Sequence, residues 1–423
     1  MLDDDTAPQC IRFRIIIYRG TPMEYEELLF DTRRHPLQGF PRNSHWHSMQ
    51  HFAEPYRISE RLYLAPSSEG VDDIEISSRL IAAYQAVTRD ESIYVAPQSR
   101  PNSGIWEMVK HEFHGEFYRL MENADIPGFA CYMRNGLRTG LGYGLGTGPG
   151  AFKTLSTPGD AREAALLLLI DRLVSLAEAI GILPHENPEQ GRYGKNLAIS
   201  AAELVSSIES TLAVRIGRPP VIGEFGILVE DQIIDLRVPD DVYSSWRMLE
   251  IAETFGLSGF GEIGGGLGGT ALQAIRLGAT RYTIFDIPSV GMMQGWFLMK
   301  TLGSEAVRLY GESEHGQPIA LLPYWMFSNP DSKYDLVMNR DSLPEIPENQ
   351  ARSYIAEIAK RNAALLSINQ ESQGSADKPE TRQLRVSELA SQEISLRRIS
   401  RSPHWTRKGY VEELFLPNSM LMR

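Results

Sequence analysis

Apolar residues recur along this chain with two different rhythms. In the first half the spacing is helical. Leu166, Leu169, Leu173, Leu176 and Ile180 follow one another at intervals of three and four, which predicts a long helix. Asp160, with Glu163 three residues on, reads as its capping box, and Gly181 as its stop. Ser200 and Glu203 repeat the capping pattern before a second helix over 204–214, and Arg218-Pro-Pro breaks the chain after it. Windows 78–87 and 105–121 also read as helices. Residues 10–18 read as a strand, 33–55 as an irregular stretch rich in Pro, Arg and His, and 149–159 as a loop. From about residue 241 the rhythm changes. A helix over 241–255 opens a regular alternation: strand 260–263, helix 270–277, strand 281–285 and helix 290–302. Short apolar runs at 306–310 and 319–322 follow, then strand 334–338, helix 350–361 and strand 364–368. A polar loop over 370–381 leads to helix 384–391 and two strand-like segments, 394–400 and 411–416. Alternating strands and helices predict a parallel α/β sheet covered on both faces, and the closing strand pair predicts an antiparallel edge. The expected organisation is a mainly α-helical region over 1–240 and an α/β region over 241–423, with no internal repeat.

Composition narrows the classes. A chain of 423 residues, 42% hydrophobic and 23% charged, suits a soluble protein of two domains. Its net charge of −12 argues against a long anionic partner such as nucleic acid. Two cysteines, Cys10 and Cys131, without a Cys-x-x-Cys pair, read as free thiols of a reducing compartment. The first residues are acidic and show no signal-peptide pattern, and the longest apolar run, 164–170, is too short to cross a bilayer. A cytoplasmic homodimer without nucleic-acid or membrane partners is expected.

The most informative segment is 260–270, FGEIGGGLGGT. A strand ends, glycines turn the chain, and a helix begins. Without Cβ atoms a ligand can approach the backbone closely, and the helix start offers unpaired N–H groups. Asp286 closes the next strand, 22 residues beyond Gly264, where a carboxylate can accept hydrogen bonds from both ribose hydroxyls of a nucleoside. Two templates overlap here. Gly264, Gly266 and Gly269 match the dinucleotide fingerprint. Glu262 with Gly264, Gly266 and Gly268 matches the first motif of class I methyltransferases. Glu262 discriminates: an acidic group two residues before the first glycine suits a cationic amino-acid end and does nothing useful beside a pyrophosphate. S-adenosylmethionine is therefore preferred over NAD. The expected contacts are Glu262, Gly264, Gly266, Gly268, Asp286, Ile287 and Asn339.

Segment 334–345, YDLVMNRDSLPE, ends an apolar strand in the polar cluster Asn339, Asp341, Ser342 and Glu345. Open α/β sheets bind ligands beyond the carboxyl ends of their strands. Asp341 is thus expected to act as a base or hold a divalent metal, although it can equally cap the following loop. Ser342, and Asn369 at the end of the next strand, are expected to contact the acceptor.

With these residues laid out, the sequence resembles the bacterial sugar O-methyltransferase family. The likeness is carried by GEIGGGLGG (261–269) leading to FDIP (285–288), DLVMNRDSLPE (335–345), LSINQE (366–371) and HENPEQG (185–191), and spans roughly residues 160–416. It implies a Rossmann-like class I methyltransferase sheet behind a helical N-terminal region, and methyl transfer to a hydroxyl of a sugar or glycosylated small molecule.

Such a transfer needs the nucleophile in line with the S–CH3 bond and a base within reach of its proton. Asp341 and His185 are the expected catalytic groups, and Glu189 an acceptor ligand or base. A metal site is not expected, although His45, His47 and His51 have ligand-like spacing. Trp106, Tyr118, Tyr143 and Trp246 are candidates for stacking on an acceptor, more simply explained as core. The glycine-rich run 140–150 reads as a lid, with no strand before it and no Lys-Ser/Thr after it to make a phosphate loop. The competing readings are methylation of a non-sugar acceptor, NAD-dependent oxidoreduction, and a fold that has lost its chemistry.

Overall fold

A computed structural model describes residues 14–19, 24–29, 61–64, 67–96, 100, 105–143, 145, 149–186, 196–371 and 383–421. Cys10, Glu189 and the histidines at 45, 47 and 51 lie outside the described residues, as does part of the 140–150 run.

Strand β1 (Arg14–Arg19) takes up the later part of the expected first strand and pairs antiparallel with β2 (Glu24–Leu29). A second small sheet joins β3 (Arg61–Tyr63), β4 (Gly226–Val229) and β5 (Gln232–Ile234), all antiparallel. The β4–β5 hairpin was not expected from the sequence. Its turn, Glu230-Asp231, carries none of the Asn-Gly or Asp-Gly signals that announce a tight hairpin, and Glu230 takes a positive φ of 54° unaided by glycine.

The helices of the first half are α1 (Asp73–Tyr94), α2 (Ile105–Glu112), α3 (Gly115–Glu122), α4 (Ile126–Met133), α5 (Pro149–Ser156), α6 (Asp160–Ala179) and α7 (Ala201–Leu212). Three details differ from expectation. The helix foreseen over 105–121 divides at Phe113 and His114, where the buried His114 ring reaches the Tyr143 carbonyl at 3.3 Å. Residues 149–156 are helical: Pro149 suits a first turn, which needs no N–H. Asp160 is the first residue of α6, not its cap. Gly159 holds that place, and its carbonyl accepts from Glu163 N–H at 3.1 Å. The capping box expected at Ser200 and Glu203 is present in both halves.

Helix α8 (Val238–Phe255) leads into the main sheet. The succession is β6 (Phe260–Ile263), α9 (Gly269–Arg276), β7 (Tyr282–Asp286), α10 (Pro288–Leu302), β8 (Val307–Leu309), β9 (Ile319–Pro323), β10 (Leu336–Arg340), α11 (Glu348–Lys360), β11 (Ala364–Gln370), α12 (Val386–Ser391), β12 (Leu396–Pro403) and β13 (Tyr410–Pro417). The eight strands lie in the order β12-β13-β11-β10-β6-β7-β9-β8. Six neighbours run parallel, and β13 is inserted antiparallel between β11 and β12. This is the parallel sheet with an antiparallel terminal pair that the alternation predicted, and the Rossmann-like sheet that the resemblance implied.

Alternate residues of one strand serve opposite faces. Leu336 and Met338 of β10 join the core that includes Trp296 and Phe297 of α10, whereas Val337 joins Ile355 and Ile358 of α11. The first face is shared with the N-terminal helices: Ile76 and Leu80 of α1, Phe117 of α3 and Phe129 of α4 belong to the same core. Gly295 lets α1 close on α10, since a Cβ there would meet Leu80. Asp73 anchors the contact, taking Arg134 and Lys300, each at 2.8 Å. A further core unites α6 and α7 with β4, β5 and the start of α8.

Strands proceed from β6 outward through β7 in one direction and through β10 in the other. The crevice between the carboxyl ends of β6 and β10 is therefore the topological switch point, where open α/β sheets take their ligands.

Candidate functional site

At that switch point lies a cavity of about 350 Å³. Its floor is Gly264, Gly265 and Gly266 of the bend after β6, whereas Gly268, also expected as a contact, faces Leu298 of α10 and does not line it. Gly264, Gly266 and Gly268 have φ of 69°, 55° and 89°, in the left-handed region that glycine alone enters freely. Gly264 N–H donates to Phe285 O at 3.0 Å, and Gly268 N–H to Gly265 O at 2.9 Å, which fixes the bend against β7. A Cβ added at Gly264 would fall inside the Ser342 side chain. One added at Gly266 would have Arg237 Nη1, at 3.7 Å, as its nearest neighbour, so this glycine opens onto free space.

Two carboxyls flank the bend. Glu262 is buried and accepts from Tyr282 Oη at 2.9 Å. Asp286 accepts from Ile287 N–H at 2.8 Å and Gln294 Nε2 at 2.7 Å, and both Asp286 and Ile287 line the cavity. A bend of left-handed glycines with a carboxylate closing the neighbouring strand is a cradle fitted to a nucleoside with an amino-acid end.

No protein-family model matches the sequence, and no curated protein matches it. Solved structures do. An O-methyltransferase family protein from Burkholderia thailandensis is 15% identical, with a TM-score of 0.31, over 43% of this chain and 59% of that one. The mitomycin 7-O-methyltransferase MmcR is 12% identical over 64% of this chain and 98% of that one, with a TM-score of 0.30. The glycopeptide N-methyltransferase MtfA, complexed with S-adenosyl-L-methionine, is 15% identical over 41% and 86%, with a TM-score of 0.32. The chain thus spans 59% of the length of the first of these. At likeness this remote, the chemistry rests on the residues of the cavity itself.

The polar groups at the ends of β10 and β11 divide by task. Asn339 and Asn369 are buried and bonded to their surroundings. Asn339 Nδ2 donates to Ile263 O (3.0 Å) and Ser342 Oγ (2.5 Å). Asn369 Nδ2 donates to Asn339 Oδ1 at 3.0 Å, while Asn369 Oδ1 accepts from Asp341 N–H at 2.9 Å. Ser342 lines the cavity, but its hydroxyl donates to Ile263 O at 2.6 Å. These side chains tie the ends of β6, β10 and β11 together. They also hold Asp341 at a φ of 70°, a conformation that costs a residue with a Cβ of order 1 kcal/mol. Asp341 faces the cavity and is ion-paired with Arg407, whose guanidinium stacks on Tyr410.

His185 is not brought to the cavity. It is exposed at the end of the segment after α6, where Nδ1 lies 3.1 Å from Glu178 and the ring meets Trp405 edge-on. Tyr143 stacks on Phe113, and Tyr118 packs beside the core, as the simpler explanation had it. Trp106 does line the cavity, beside Glu345. The sequence reading also passed over Arg237, Tyr324, Tyr354, Arg407 and Tyr410, all of which line it. Nothing local marks them; they converge only once the chain has folded.

Charge in this region is unevenly satisfied. Behind the cavity Arg340, Asp240 and Asp241 form buried pairs, and Asp240 also receives His404 (2.8 Å) and Thr406 (2.6 Å). The Arg340 guanidinium and these donors hold the Asp240 carboxyl well below its usual range despite burial. By contrast, burial pushes Glu262, Asp286 and Glu345 each up to about 7. Buried Glu224, near the β4 hairpin, is pushed up likewise to about 7. Near pH 6 the folded protein therefore holds protons on these four groups that the unfolded chain, titrating near 4, has released. Their stabilising contribution is present below pH 4 and is lost as pH rises through 7. Raising pH from 5 to 8 should lower the melting temperature of the ligand-free protein. A melting temperature that rises over this range in differential scanning fluorimetry would contradict the assignment.

Proposed function

We propose that the chain is an S-adenosylmethionine-dependent methyltransferase acting on a hydroxyl of a sugar or glycosylated small molecule. The observation that carries this reading is the left-handed glycine bend opening at Gly266 onto a cavity edged by Asp286. Asp286 would hold the ribose hydroxyls, and the backbone from Gly264 to Gly266 the amino-acid portion, with the buried Glu262 adding negative potential beneath a cation. Ile287, Tyr324 and Tyr354 offer apolar contact for the base. When bound, the sulfonium supplies an electrophilic methyl group to an in-line nucleophile.

The chain must then take the hydroxyl proton. Asp341 is held by Arg407, which occupies its carboxylate. Glu345, titrating near 7, is matched to accept a proton at neutral pH, and we assign it as the general base with Asp341 and Arg407 orienting the acceptor. Trp106 and Tyr410, both lining the cavity, offer flat surfaces for a sugar face. Ser342 and Asn369 support this arrangement from beneath. The two-domain division near residue 240, a homodimer and a cytoplasmic location belong to the same proposal, and no resident metal is assigned to the mechanism.

Calorimetry tests the cofactor, and labelled methyl transfer to a panel of sugars and phenols tests the acceptor. S-adenosylhomocysteine should bind saturably and NAD should not. Glu345→Gln should retain that binding and lose roughly 100-fold or more in transfer. Saturable NAD binding alone would replace the proposal with a dehydrogenase, and transfer confined to phenols or amines would replace the sugar.

A further inference from the structure

Arg237 precedes α8 and lines the cavity beside Gly266. Its backbone N–H donates to Asp235, at 2.7 Å, but its guanidinium makes no hydrogen bond or ion pair among the described residues. The other arginines that line the cavity, and Arg218 behind it, are matched among the described residues. Arg340 is paired with Asp240 and Asp241, Arg218 with Asp235 and Asp241, and Arg407 with Asp341. Burial, and repulsion from Arg407 and Arg340, push the Arg237 guanidinium below its usual range, with Asp241 and Asp341 opposing. Arg237 is half-buried on the cavity wall, and a partly desolvated cation without a counter-ion is poised to take one.

The partner's chemistry follows from what else faces the cavity. A guanidinium presents parallel N–H donors matched to a planar two-oxygen anion. Glu262, Asp286, Asp341 and Glu345 line the same space, so a ligand group of one negative charge is tolerated better than a dianionic phosphate. We propose that Arg237 is the seat of a ligand carboxylate, bound over the glycine bend at Gly266. This rests on the methyltransferase reading, in which a carboxylate can come from the cofactor's amino-acid end or from an acidic sugar acceptor.

Arg237→Gln tests it by melting and by calorimetry. The variant's ligand-free melting temperature should equal or exceed that of the wild type, because a half-buried charge without a counter-ion among the described residues has gone. If the carboxylate is the cofactor's, S-adenosylhomocysteine should bind the variant at least tenfold more weakly. Its decarboxylated analogue, which keeps the amine, should bind both proteins alike. If the carboxylate is the acceptor's, S-adenosylhomocysteine affinity should stay unchanged while glucuronate binding to the nucleoside-loaded protein is lost. A lower ligand-free melting temperature would make Arg237 a structural brace and overturn the proposal, as would unchanged binding of all three ligands. Failure of the wild type to bind S-adenosylhomocysteine or its analogue would instead remove the methyltransferase reading, and this inference with it.

Discussion

Asp286→Asn should weaken S-adenosylhomocysteine binding by roughly ten- to hundredfold, the equivalent of about 1.5–3 kcal/mol for hydrogen bonds to a charged group. The substitution keeps the shape of the side chain and one oxygen for the Ile287 N–H. What it removes is the second acceptor oxygen, and with it the ability to take both ribose hydroxyls. The fold should tolerate the change. Gln294 donates to Asp286 through Nε2, and its own Oε1 is buried without a partner among the described residues. Turning that amide over would meet the new N–H, at the cost of its 3.1 Å bond to Gly266 O. Affinity should therefore fall while the melting temperature of the ligand-free protein moves little, or rises at alkaline pH where the buried carboxylate is charged. Calorimetry at pH 7.5 on both proteins decides this, and equal dissociation constants would remove Asp286 from the nucleoside site.

Much of this site is readable in the sequence because its parts are local. A strand, a run of glycines and a helix are contiguous, and Asp286 falls at the end of the next strand whatever the rest of the chain does. The sheet is legible for the same reason: its strands are short apolar runs between helices of clear period. What escaped depends on distance or direction. Asn339, Ser342 and Asn369 sit at the strand ends that the pattern implies, but which way an amide points is settled by neighbours. Ile263 O, 76 residues from Asn339, claims both Asn339 and Ser342. Glu345 is an ordinary acidic residue in sequence and acquires its protonation behaviour from burial beside Trp106 of α2. The β4–β5 hairpin escaped because two charged residues make a turn that glycine usually makes. His185 lies in a distinctive segment, and distinctiveness of sequence did not translate into a place in the cavity.

Asp241→Ala should cost the most stability of any single change considered. Asp241 is buried at the start of α8 and is shared by two cations, Arg218 from the N-terminal half and Arg340 from the end of β10, at 2.5 Å from the latter. Both arginines are themselves buried, so neither can recover its hydration when the carboxylate is removed. Breaking one side of a buried ion pair typically costs about 3–5 kcal/mol. The lower end applies here, because Arg218 retains Asp235 at 3.0 Å and Arg340 retains Asp240 at 3.5 Å. The Asp241 carboxylate also packs against Gly269, at the first turn of α9, where a negative charge is favoured by the helix dipole. The loss should therefore appear as a fall of roughly 3–5 °C in melting temperature. It should be accompanied by weaker nucleoside binding, because α9 and the glycine bend are continuous. Adding Arg340→Met should restore part of the stability by removing one stranded cation. A single variant that melts within about 1 °C of the wild type would show that the arginines re-pair without it, and that Asp241 does not brace the bend.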